Sequence, residues 1–182
     1  MSLPHAILAS LLEKPGSGAE LARRFDKSIG HFWQASHQQI YRELGKLDDA
    51  GMVESTGRDT GRGRERHYLV LPAGRALLEQ WCRSEAAPRP VRDELLVRLR
   101  AAAVLGDVNL TAEISRHREL HQRQLEHYQD IQERDFPGTT AGRPAGGTEQ
   151  DRLQYAVLRA GILFEEAWLA WSAETLDGTV KR

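Results

Sequence analysis

The sequence predicts a mainly α-helical chain carrying one small β-hairpin, and three stretches carry that prediction. Ile40, Leu44 and Leu47 recur at spacings of four and three, which places them on one face of a helix. Gly51 follows directly, as glycine commonly does just past the last periodic residue of a helix. Two strand-like runs, residues 52–55 and 67–71, then flank residues 57–66, a Gly/Arg-rich segment that no core could bury. The third stretch is the final helix, about residues 149–176, in which Leu153, Val157, Ala160, Phe164, Ala167 and Trp171 alternate by four and three. Helix, tight stop and basic hairpin in that order outline an N-terminal winged helix-turn-helix. The later helices predict a C-terminal antiparallel helical dimerisation domain.

In chain order, Pro4 stands where a first helical turn tolerates proline, and Ile7, Leu8, Leu11 and Leu12 form the apolar stripe of helix one. Lys14-Pro15-Gly16 ends it. Ser17 followed by Glu20 three residues on is a capping-box pattern, and it opens a second helix carrying Leu21, Ala22 and Phe25. Residues 29–33 read as an aromatic link, and Ala35-Ser36 start the third helix. After the hairpin, Pro72 opens a helix through Leu77, Leu78 and Trp81. The prolines at 88 and 90 mark a boundary, giving domains at 1–86 and 87–182. Residues 91–105 and 110–135 read as helices, and residues 136–148 as a Gly/Pro/Thr loop.

The last helix has a second apolar face, with Tyr155, Leu158, Ile162 and Leu169. A helix apolar on two faces needs cover on two sides, and three tail helices cannot supply it alone, so a second copy of the chain is expected. Leu158, Ile162, Trp168, Leu169 and Trp171 are the candidate interface residues. Leu158, Ile162 and Leu169 are assigned to the partner, and Val157, Phe164 and Trp171 to the chain's own helices, with the swapped assignment left open.

Composition sets outer bounds. At 182 residues with 40% hydrophobic and 28% charged residues, the chain can build one or two domains with real cores. The single Cys82 fits a reducing cytoplasm and excludes an internal disulfide, while the missing CxxC spacing argues against structural zinc. No apolar run reaches the length of a membrane span, and the N-terminus lacks the basic segment of a signal peptide. Net charge is −1, yet residues 58–66 hold four arginines against two acids, a local basic element on a near-neutral body. Glu113, His117 and His121 share a helical face, but Arg118 stands where the zinc-hydrolase pattern needs Glu, so a solvated face is expected and no metal. No nucleophile elbow, P-loop or dinucleotide loop occurs, hence neither enzyme activity nor a cofactor is expected.

These residues point to double-stranded DNA. Ser36, His37, Gln38 and Gln39 open the third helix and either cap it or meet base edges; an arginine-rich hairpin at winged-helix spacing favours base contact. Tyr41 and Arg42 suit phosphates, which position without reading sequence. Arg62, Arg64 and Arg66 would track the backbone or minor groove, with Gly57, Gly61 and Gly63 allowing close approach. Ser17 and Lys46 complete the expected contact set. The competing reading is a winged-helix protein-interaction module with no DNA function, in which charge reversal in the hairpin leaves every partner unaffected.

The chain resembles the PadR-family transcriptional regulators, in the branch with a long helical C-terminal domain. The resemblance runs through Trp33, Ser36, Gln39-Ile40-Tyr41-Arg42-Glu43-Leu44, Lys46-Leu47, Gly51-Met52-Val53, Arg66-His67-Tyr68 and Ala73-Gly74-Arg75. It resumes at Tyr155, Arg159, Gly161-Ile162, Glu165, Trp168 and Trp171. Membership implies a homodimer on a palindromic operator, most often as a repressor. It also implies an aromatic-lined cavity at the dimer centre, around Trp168 and Trp171, able to hold a small planar aromatic effector. Two positions depart from the family pattern: His37-Gln38 replace an expected Gly, and Leu71-Pro72 replace a Leu-Thr that would cap the fourth helix.

Overall fold

A computed structural model describes residues 3–27, 35–59, 64–88, 92–139 and 147–180. Its elements are α1 (Leu3–Glu13), β1 (Gly16–Ser17), α2 (Gly18–Lys27), α3 (His37–Asp49), β2 (Val53–Asp59), β3 (Arg64–Val70), α4 (Pro72–Arg83), α5 (Glu94–Leu105), α6 (Thr111–Asp135) and α7 (Glu149–Val180). The chain divides into two compact units, Met1–Pro88 and Arg89–Arg182. Mainly helical with one small antiparallel sheet, it has the predicted fold class.

In the first unit the predicted stripes converge on one core. Ile7, Leu8 and Leu11 of α1 meet Leu21, Ala22 and Phe25 of α2, Ile40, Leu44 and Leu47 of α3, and Val53 and Tyr68 of the hairpin. Gly51 takes a left-handed φ of 65°, which only glycine adopts without strain, and so turns the chain from α3 into β2. At Gly74 an added Cβ would stand 2.2 Å from the Met52 carbonyl oxygen, so α4 packs directly on backbone. Pro72 starts α4 at its first turn with no side-chain cap, in place of the family's Thr.

The sheet has order β1-β3-β2, all antiparallel. Two findings differ from the sequence reading. β1, whose Gly16 and Ser17 pair with Tyr68 and His67, has no strand-like side chains to announce it. The hairpin ladder also runs on through Gly57↔Arg66 and Arg58↔Glu65 to Asp59↔Arg64, beyond the strand-like runs 52–55 and 67–71. Backbone pairing needs no burial, so an Arg/Gly-rich composition does not end a strand. The aromatic link at residues 29–33 and the tip with Arg62 lie outside the described residues.

In the second unit α6 and α7 are antiparallel, because their contacts run in opposite sequence order. Tyr155 bonds Gln132, Gly161 lies against Tyr128, and Glu165 meets His121. Leu125, Tyr128 and Ile162 are buried there, with Ile131, Leu158 and Leu169 packed around them. Of the two face assignments left open, the one giving Leu158, Ile162 and Leu169 to the partner is not met. Leu158, Ile162 and Leu169 meet the chain's own α6, which offers Leu125, Tyr128 and Ile131, whereas Leu153 (62% exposed), Val157 (49%) and Phe164 (61%) face outward. Asp93 caps α5 by accepting from Leu95 N–H at 2.8 Å, and most of the apolar side chains of α5 remain exposed, Leu96, Val97, Val104 and Leu105 among them.

Candidate nucleic-acid interface

The N-terminus of α3 is built by a capping box. Ser36 Oγ accepts from the Gln39 N–H at 3.3 Å, and the Gln39 side-chain oxygen accepts from the Ser36 N–H at 2.8 Å. A bidentate pairing of Gln39 with adenine would need that same Oε1, so the cap leaves Gln39 only its amide donors. His37 and Gln38 are exposed on the same first turn. Both glutamines were candidates from sequence; the geometry separates them, because only Gln38 stands outside the cap.

One turn on, Tyr41 is half exposed and its ring rests on the backbone at Gly18, where an added Cβ would stand 2.3 Å from Cε1. Its apolar edge therefore props α3 against the start of α2, in keeping with a residue split between core and surface. Arg42 is exposed, and Lys46 pairs with Glu43 at 3.0 Å on the same helix. The buried stripe of Ile40, Leu44 and Leu47 fixes which face of α3 is turned outward.

Ser17 does not belong to this surface. It is 1% exposed, its hydroxyl accepts from the Glu20 N–H at 3.3 Å, and its own N–H donates to Glu20 Oε2 at 2.8 Å. A hydroxyl buried in a cap has no access to a phosphate, so its expected contact role is withdrawn. The Ser17 N–H beside it holds the Glu20 carboxyl below the usual carboxylate range.

Arg66 is exposed on β3 opposite Gly57, and Arg64 begins the strand opposite Asp59. Two carboxylate contacts at the hairpin root escaped the sequence reading. Asp48 accepts from both the N–H and the hydroxyl of Ser55, at 3.2 and 2.7 Å, and Glu20 lies 3.8 Å from His67 Nε2. Acids on helix ends carry no pattern that would have announced a contact across to another element.

In the second unit the row of Glu113, His117 and His121 is not the solvated face that was expected. His121 stacks on Trp168 at 3.9 Å between ring centroids, His117 on the same indole at 5.9 Å, and Trp171 meets Trp168 edge-on at 5.3 Å. Glu165, only 6% exposed, pairs with His121. Glu113 pairs instead with Arg116, Arg98 and His117. Among the described residues no three His, Cys, Asp or Glu side chains converge as a metal site, and no helix is long and apolar enough to cross a membrane.

Comparison with known proteins agrees with this geometry. Residues 7–80 match the Transcriptional regulator PadR-like family, and residues 91–178 match the family described as Virulence activator alpha C-term. A probable transcriptional regulator of Mycobacterium tuberculosis is 39% identical, the match covering 97% of both chains. The Vibrio cholerae virulence activator AphA superposes with a TM-score of 0.78 at 32% identity over 99% of each chain. Bacillus subtilis PadR, a negative transcriptional regulator, is 27% identical over 93% of this chain and 92% of its own. It has been solved with operator DNA (TM-score 0.82, 24% identity, 97% of each chain) and with p-coumaric acid (TM-score 0.76, 25% identity, 97% of this chain and 98% of that one). With its winged N-terminal unit and its helical C-terminal unit both matched, the chain belongs to the PadR-like family of transcriptional regulators.

Proposed function

We propose that the protein is a cytoplasmic repressor that binds a palindromic operator as a homodimer and is released by a small planar aromatic effector. In this reading residues 1–86 hold DNA and residues 87–182 hold the two subunits together. The observation that carries it is the first turn of α3. Its apolar side is locked into the core, its outward side offers His37, Gln38 and Arg42, and an arginine-bearing hairpin follows directly. That is the arrangement by which a recognition helix reads a major groove while a wing follows the backbone. Gln38 and His37 meet base edges, Tyr41, Arg42 and Lys46 meet phosphates, and Arg62, Arg64 and Arg66 hold the flanking backbone.

Dimerisation is supported by the outward apolar strip of α7, with Leu153, Val157 and Phe164, and by the exposed Leu96, Val97, Val104 and Leu105 of α5. A two-fold dimer places two reading helices on two half-sites. Repression and an aromatic effector are supported by likeness to the Bacillus regulator, solved with p-coumaric acid. Trp168 and Trp171 are the aromatic groups that would meet such an effector. The test is selection of bound sites from a random DNA pool, repeated with phenolic acids present. An inverted repeat whose binding weakens with the acid supports the reading, and recovery of no preferred site refutes it.

A further inference from the structure

We propose that Asp48 and Glu20 are positioning residues that aim the wing, a role that rests on the DNA-binding reading above. Each strand of the hairpin meets, at its root, a carboxylate from one helix of the helix-turn-helix, hydrogen-bonded on β2 and at ion-pair distance on β3. Asp48, in the last turn of α3, takes both donors of Ser55 on β2, the N–H at 3.2 Å and the hydroxyl at 2.7 Å. Glu20, in the first turn of α2, holds its carboxylate 3.8 Å from His67 Nε2 on β3 while closing the cap on Ser17. Ser55 pairs with Tyr68 and Thr56 with His67, so the two contacts act on neighbouring rungs of one ladder.

The placement of Asp48 has no explanation within its own helix. An acid in the last turn faces the negative end of the helix dipole, an unfavourable position. Its contact with Ser55 supplies the missing reason. Glu20 lies close to the turn: at Gly16, an added Cβ would stand 2.8 Å from its carboxylate oxygen and 2.8 Å from an Arg24 guanidinium nitrogen, the mobile ends of two long side chains. Tyr41 leans on Gly18, two residues from Gly16, so the reading helix and the wing root both bear on this one segment.

The hairpin makes the root consequential. From Ser55 to Asp59 the ladder extends by four residues, about 13 Å, so a swing of about 10° at the root would move the far end by about 2 Å. That is enough to take an arginine off a phosphate it would otherwise reach, because charge-assisted hydrogen bonds hold only within a few tenths of an ångström of 2.8 Å.

The experiment measures operator affinity and its salt dependence for Asp48→Ala, Glu20→Gln and the near-isosteric pair Ser55→Val and Ser55→Thr. Each is made in the wild-type chain and in one with Arg58, Arg62, Arg64 and Arg66 all changed to alanine. Asp48→Ala is expected to weaken binding roughly tenfold and to lower the log–log salt slope by about 1. Ser55→Thr should retain affinity and Ser55→Val lose part of it, and melting curves alongside would show the same folded unit. In the arginine-free background the loss from Asp48→Ala should shrink to about twofold or less, because no wing contact remains to misplace. A loss that persists in full there, or a salt slope unchanged by Asp48→Ala, overturns the inference. If the wild-type chain recovers no preferred DNA site, the underlying DNA reading fails; if it does and Arg66→Ala leaves affinity and salt slope intact, the wing makes no such contact and the aiming role falls alone. If Arg66→Ala weakens binding while Asp48→Ala and Glu20→Gln are silent, only the aiming role fails.

Discussion

Phe164 and Ile162 sit two residues apart on α7 and should respond oppositely to the same perturbation. Ile162 is 2% exposed against Leu125 and Tyr128, whereas Phe164 is 61% exposed within one chain. A phenylalanine presents about 200 Å² of surface, so the uncovered part is on the order of 120 Å²; at about 25 cal/mol per Å², covering it would contribute about 3 kcal/mol per subunit. Two-fold symmetry counts that contribution twice in a dimer, and the extended-chain reference makes it an upper figure. Phe164→Glu should therefore leave the α6–α7 hairpin folded and raise the dimer dissociation constant by at least a hundredfold, since an unpaired charge would replace buried ring. Ile162→Glu places the same charge inside the monomer's own core and should cost several kcal/mol of folding stability. Light scattering reports the mass and thermal unfolding the stability of each variant. A Phe164→Glu protein that stays dimeric with full operator affinity refutes the placement of the interface, and a wild-type chain that is monomeric at micromolar concentration refutes the dimer.

The remaining predictions concern the DNA surface and one ion pair. Gln38→Ala should cost roughly 1–3 kcal/mol on the operator and far less on random DNA, whereas equal loss on both would reduce it to a backbone contact. Gln39→Ala should cost about 1 kcal/mol through the lost cap, and Gln39→Glu, which keeps the capping box, should restore the melting temperature. Arg66→Ala should weaken operator and random DNA alike and lower the salt slope by about 1; a changed sequence preference with the slope intact would exclude a backbone role. Glu113, hydrogen-bonded by Arg116, is held down to about 2, so its contribution to stability is complete above the ordinary carboxylate value and fades as pH falls towards 2. Titration by NMR should find its pKa moved up towards 4.5 in Arg116→Ala, and an unmoved value would exclude the pair.

Much of this architecture was legible because it rests on periodicity. Ile40, Leu44 and Leu47 declare a helix face whatever surrounds them, and Gly51 declares the stop. Contacts between elements distant in sequence left no such trace. Ser17 carried the pattern of a cap, and only the pairing of β1 with β3 shows that this cap is buried. The histidine row on α6 looked like a wetted face because its neighbours are polar, and its burial comes from Trp168, more than forty residues on. For α7, periodicity shows two apolar faces without ranking them; the spacing of Leu125, Tyr128 and Ile131 on α6 decides which one is covered within the chain.

The first turn of α3 shows why capping and recognition are hard to separate from sequence alone. Both demand short or amide-bearing polar residues at the same few positions, since the groups that can satisfy an orphan backbone N–H can also meet a base edge. Geometry separates them by counting acceptors. Ser36 and Gln39 use each other's backbone and are thereby fixed, which costs them freedom to read but makes the turn rigid. Gln38, held on that rigid turn and outside its hydrogen bonds, can meet a base edge without first losing a structural contact. The cap is thus part of the reading apparatus: it preorganises the turn, so the ordering cost of the neighbouring side chains is met during folding and not at the moment of binding. On this argument a weakened cap should reduce affinity for every DNA sequence while leaving the order of preference among sequences unchanged.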